Sequence, residues 1–90
     1  IMTESGSRFV TPLTFSALSG NRTYGSMFAD GDDPMVHINL GQSADVMLIA
    51  PATANTIARL ANGMSDDLLT AAALVTRAEI LVCPAMNSRM

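Results

Sequence analysis

Two short runs, "VMLIA" at 46 to 50 and "EILVC" at 79 to 83, limit this chain's folding more than anything else in it. Neither alternates polar with apolar residues. A nearly unbroken apolar run bounded by turn signals is the pattern of a strand covered on both faces in a parallel sheet. The residues between them, 51 to 78, carry helical spacing. Strand, helix and strand in that order make a βαβ unit, with a right-handed crossover. The fold class expected is therefore α/β with a parallel sheet.

The crossover is expected to hold two helices. In "NTIARLANG" the apolar residues Ile57, Leu60 and Ala61 share a face, and Gly63 can end the helix. Ser65 is expected to cap the second helix, whose first turn would hold Asp66 and Asp67 at the positive end of the helix dipole. Upstream, Thr11 reads as an N-cap, Pro12 as the first helical residue and Gly20 as the stop. Residues Asn21 to Pro34 read as a loop, and "VHINLGQSA" as one or two helical turns.

Ninety residues allow one small core, and with 49 % hydrophobic but only 4 % aromatic residues it must be built from aliphatic side chains and methionine. The net charge of −3, with five Lys and Arg and no basic cluster, argues against nucleic acid as a partner. No apolar run approaches the roughly 20 residues needed to span a bilayer, and no signal peptide opens the chain, so a cytoplasmic protein without a membrane partner is expected. With Cys83 alone, no internal disulfide and no Cys-rich metal site is expected. Beginning at Ile1 and ending at Met90 without a polar tail, the chain is expected to be one domain, 1 to 90, truncated at both ends.

Ligands of open parallel sheets collect beyond the carboxyl ends of the strands. Both strands here end in the same punctuation: "APATANT" after the first and "CPAMNSRM" after the second. Pro stops the ladder and Ala allows close approach. Thr53, Asn55, Thr56 and Asn87 offer hydroxyl and amide groups that suit a flat heterocycle or a carboxylate. Spacing alone leaves two readings open, a ligand edge or ordinary helix caps. His37, the single histidine, is either a hydrogen-bonded structural residue or a proton carrier. Cys83 reads as an inert core thiol, and Met86 and Met90 as packing residues.

"PATANT" and "PAMNSRM", taken in order with "TESGSRFVTPLTFSALSG" and "HINLGQSADVMLIA", resemble the paired motifs of the homo-oligomeric flavin-containing cysteine decarboxylases. Within that family the chain is most similar to the coenzyme A branch, whose members are usually fused to a synthetase. The resemblance implies a three-layer, Rossmann-like (flavodoxin-like) parallel sheet and FMN as cofactor. It also implies 4'-phosphopantothenoylcysteine as substrate, and a trimer or dodecamer with sites at subunit interfaces.

By the same resemblance Thr3, Glu4 and Ser5 contact FMN, as do Thr53, Ala54, Asn55, Thr56 and Ala85. Asn87 binds the substrate carboxylate and His37 is catalytic. The implied chemistry is oxidation of the cysteinyl thiol to a thioaldehyde, whose C=S group accepts the electrons left when CO2 departs. The family's Gly-rich phosphate loop and its catalytic Cys segment would lie outside these residues. Thr53 stands where Ser is usual and keeps the hydroxyl. A peptidyl-cysteine decarboxylase, a flavin prenyltransferase and a non-catalytic regulatory relative are the alternatives. "PAMN" disfavours the prenyltransferase, and retention of both His37 and Asn87 disfavours the regulatory relative.

Overall fold

The structure, a computed structural model, describes residues 1 to 25 and 35 to 85. Asn87, Met86, Met90 and most of the Asn21 to Pro34 loop lie outside the described residues, so the expectations that rest on them are not addressed by it. In chain order the elements are α1 (Glu4–Ser7), α2 (Pro12–Ser19), α3 (Val36–Ser43), β1 (Val46–Ala52), α4 (Ala54–Ala61), α5 (Leu68–Val75) and β2 (Glu79–Pro84). β1 and β2 pair in parallel, with Val46 opposite Glu79 and Ile49 opposite Val82. This is the α/β arrangement expected from the two apolar runs. Its crossover is made by α4 and α5.

Local signals set most helix ends. α2 starts at Pro12 after Thr11 and stops at Gly20, whose φ of 71° is a left-handed conformation glycine adopts without a Cβ penalty. "VHINLGQS" forms two full turns. Ser65 is not the cap of α5. That position belongs to Asp67, because only Asp67 has Thr70 three residues on to complete a reciprocal capping box.

The buried apolar set comes from three elements: Val36 of α3, Ile49 and Ala52 of β1, and Leu68, Ala71 and Ala72 of α5. α3 lies close against α5 because Gly41 is buried with no side chain to separate them. A Cβ at that position would sit 2.7 Å from the Ala72 carbonyl oxygen and 2.8 Å from Val75 Cγ2. The Thr76 hydroxyl then donates to the Gly41 carbonyl at 2.6 Å, joining the end of α5 to the middle of α3.

Two expectations are corrected. The strands are not covered on both faces: Val46 and Leu48 of β1 are exposed, as is every residue of β2. The physical reason is that the sheet has two strands among the described residues, and the buried helical side chains number only those of α3 and α5. Cys83, placed on β2, is consequently an exposed free thiol and not a core residue.

Gly41 generates a test with a defined sign. Exposed Gly→Ala in a helix interior gains about 1 kcal/mol from propensity, but overpacking a close contact costs about 1–3 kcal/mol. Since the atoms a Cβ would strike include a backbone carbonyl at 2.7 Å, the cost falls toward the upper end of that range and Gly41→Ala is expected to destabilise by up to about 2 kcal/mol net in chemical denaturation. A gain in stability would show that α3 and α5 do not approach as described.

Candidate functional site

Each strand end is built by its own sequence. β1 runs to Ala52, and Thr53 leaves the strand in an extended conformation to become the N-cap of α4. Its hydroxyl accepts from the Thr56 amide at 3.2 Å and donates to Thr56 Oγ1 at 3.2 Å. Of the two readings left open by spacing, the cap is therefore realised. It does not use up the polar groups. Thr53 spends its one proton on Thr56, which leaves the Thr56 hydroxyl proton, the exposed Asn55 amide and the first α4 backbone N–H groups to face a ligand.

The second strand end is fastened to the first. Ala52 pairs with Pro84 after a register shift, and the Ala85 amide donates to the Ala52 carbonyl at 3.0 Å. Ala85 thus lies next to the residue that precedes Thr53. The two punctuated motifs, 32 residues apart by the separation of Ala52 and Pro84, meet at one edge of the sheet. Ala85 is exposed, with no bulky side chain over that edge.

Thr3, Glu4 and Ser5 form a second group. Thr3 caps the short α1, accepting from the Gly6 amide at 3.0 Å. Thr3 and Glu4 line an open cavity of about 650 Å3 together with Arg59, Asp66, Asp67 and Leu68. Thr53, Ala54, Asn55, Thr56 and Ala85 do not line it, nor does Ser5, so the expected cofactor residues form two groups and not one enclosed pocket.

Opposite Thr3 and Glu4 is a charged network that sequence reading missed. Arg59, in the last turn of α4, pairs with Asp66 and, at 3.2 Å, with Asp67. Asp67 Oδ1 accepts from the Thr70 amide at 2.8 Å and from the Thr70 hydroxyl at 2.6 Å. Burial pushes the Asp67 carboxyl up, but the two Thr70 hydrogen bonds and the Arg59 charge outweigh it and hold the group below its ordinary value. The spacing Asp67-x-x-Thr70 was the available signal, a capping box written with Thr at the third helical position.

His37 is the second residue of α3 and is half-buried. Its Nδ1 is buried without a hydrogen-bond partner among the described residues, which does not match the structural, hydrogen-bonded reading. Buried polar atoms are paired in the great majority of cases, which makes this nitrogen an exception among the described residues. Among the described residues no cluster of three or more His, Cys, Asp or Glu could hold a metal ion. No helix among them is long and apolar enough to cross a membrane.

Comparison with known proteins supplies the family. A family described as Flavoprotein matches residues 1–90. The coenzyme A biosynthesis bifunctional protein CoaBC of Bacillus subtilis is 47 % identical over 91 residues, covering 100 % of this chain and 22 % of the relative. Among solved structures, the FMN-dependent cysteine decarboxylase SpaF superposes with a TM-score of 0.88 at 33 % identity, over 99 % of this chain and 51 % of its own. A PPC decarboxylase mutant complexed with pantothenoylaminoethenethiol superposes with a TM-score of 0.70 at 31 % identity, over 96 % of this chain and 50 % of its own. The chain therefore spans about a fifth of the curated relative and about half of each solved structure.

The depressed Asp67 carboxyl carries a pH dependence. A group with a lowered folded pKa contributes stability above its ordinary value, here 3.8, and loses it as pH falls through the folded pKa. Asp67→Asn keeps a competent cap but cannot titrate. Its thermal midpoint is expected to fall less steeply than that of wild type between about pH 5 and pH 2.5. Parallel acid limbs would contradict the assignment.

Proposed function

The chain belongs to the Flavoprotein family, and from that premise we propose that it forms part of an FMN-dependent decarboxylase acting on 4'-phosphopantothenoylcysteine in coenzyme A synthesis. The observation that carries this reading is the joining of the two strand ends, with Ala85 bonded to Ala52 directly before Thr53. Their donor set fits a flavin edge: a free hydroxyl proton at Thr56, an exposed amide at Asn55 and helix N-terminal N–H groups, all suited to ring carbonyls and nitrogens. The choice of substrate follows identity. The chain is 47 % identical to the bifunctional coenzyme A protein but 33 % identical to the cysteine decarboxylase SpaF.

When bound, FMN supplies the two-electron oxidation of the cysteinyl thiol that makes loss of CO2 possible, and later returns those electrons. The residues of this chain do the positioning. Thr53, Ala54, Asn55, Thr56 and Ala85 hold the ring edge at the ends of β1 and β2, while Thr3, Glu4 and Ser5 meet another part of the cofactor from the separate group at α1. Asn87, three residues after Pro84, holds the substrate carboxylate in an orientation that allows CO2 to leave. His37 acts beside that carboxylate through the imidazole whose Nδ1 has no partner among the described residues. We place the site at an interface between copies in a homo-oligomer, and residues 1 to 90 within a longer flavoprotein domain of a cytoplasmic enzyme.

The test is the full-length parent protein. It is expected to show a bound-flavin absorption spectrum and to release CO2 from 4'-phosphopantothenoylcysteine. Asn87→Asp is expected to retain flavin and lower turnover by about tenfold or more, since a carboxylate facing a carboxylate is repelled. A yellow protein inert toward this substrate contradicts the substrate assignment. A colourless one contradicts the cofactor. Full activity of Asn87→Asp contradicts the role of Asn87.

A further inference from the structure

α4 carries the residues named for the flavin at its first turn, yet none of its own residues is fully buried. Packing holds it only through half-buried residues such as Ile57 and Leu60, so directed polar contacts carry much of its orientation. At its far end Arg59 reaches out of the last turn to Asp66 and Asp67. Its side chain is only 24 % exposed, less than either carboxylate. Asp67 is held in turn by two bonds from Thr70, which is 1 % exposed and part of the interior. A continuous line of directed contacts therefore runs from buried Thr70, through Asp67 and Arg59, along α4 to Thr53 and Thr56.

Resting on the flavin reading above, we infer that Arg59 is a positioning residue for flavin binding: it clamps the end of α4 to the cap of α5 and thereby aims Thr53 to Thr56. One guanidinium nitrogen, Nη2, meets both carboxylates, and the permanent charge of arginine keeps both pairs in place. A partly exposed ion pair contributes little to global stability. The consequence of losing the clamp therefore falls on ligand geometry and much less on the melting temperature.

The competing explanation is that Arg59, which also lines the cavity with Thr3 and Glu4, attracts an anionic cofactor through its charge. The two differ in sign at Asp66. Removing that carboxylate makes the site less negative, so a charge mechanism tightens FMN binding. A clamp loses one of its two anchors, so binding weakens.

The experiment measures the FMN dissociation constant of the full-length protein by flavin fluorescence quenching, beside its melting temperature. Arg59→Met is expected to weaken FMN about tenfold and Asp66→Asn about threefold, with Arg59→Lys between wild type and Met. In a Thr53→Ala/Thr56→Ala background the Arg59→Met effect is expected to shrink, because Arg59 acts in part through those hydroxyls and in part through Asn55 and the α4 N–H groups. Unchanged or tighter binding by Asp66→Asn overturns the proposal, as does an undiminished Arg59→Met effect in the double-alanine background. If Arg59→Met does not fold, Asp66→Asn decides alone, since it leaves the α5 cap intact. A wild-type protein that binds no FMN overturns the cofactor reading instead, and is told apart because it fails before any substitution.

Discussion

The close approach of α3 and α5 at Gly41 is the contact on which the arrangement depends. Without a side chain at that position, the backbone of α3 lies against the Ala72 carbonyl, and the Thr76 hydroxyl bonds across to Gly41. α3 carries His37, and α5 begins with the Asp67 cap and leads into β2. A widening of this gap shifts the helix that carries His37 relative to the Asp67 cap that holds Arg59. Polar groups join the pieces: Thr76 to Gly41, Thr70 to Asp67, and Asp67 to Arg59. Such bonds are directional, and small shifts in their geometry are felt at their ends.

The handover from β1 to α4 shows how one short stretch can cap a helix and still keep polar groups for a ligand. A cap needs a side-chain oxygen that accepts, and Thr53 provides it. A ligand edge needs donors left over, and the direction of the Thr53 to Thr56 bond leaves the second hydroxyl's proton unspent. The choice between cap and ligand edge is not exclusive, because a hydroxyl has one proton and two lone pairs.

Much of this was legible in the amino-acid sequence, and the rest was hidden for identifiable reasons. The two apolar runs gave the parallel pair, and Thr11, Pro12 and Gly20 marked the ends of α2 because those signals are local. The strand-end motifs pointed to their meeting because parallel strands end on the same side. Gly41 was passed over since its role is a contact with residues about 30 positions on, which no local pattern encodes. Ser65 reads as a cap with Asp66 and Asp67 in the first turn, because caps of similar strength stand two residues apart and only the pairing with Thr70 selects Asp67. The exposure of β2 and Cys83 was missed because an apolar run implies burial without saying which element provides it.

The central claim is that a flavin edge rests on the joined strand ends, with α4 aimed at it. A crystal structure of the full-length protein with FMN bound tests this most directly. The account places the isoalloxazine ring within hydrogen-bond distance of the Thr53 to Thr56 turn, beside Ala85, with the Arg59 pairs to Asp66 and Asp67 intact. A flavin bound away from that turn, or an Arg59 side chain swung off both carboxylates to meet the cofactor, would contradict it.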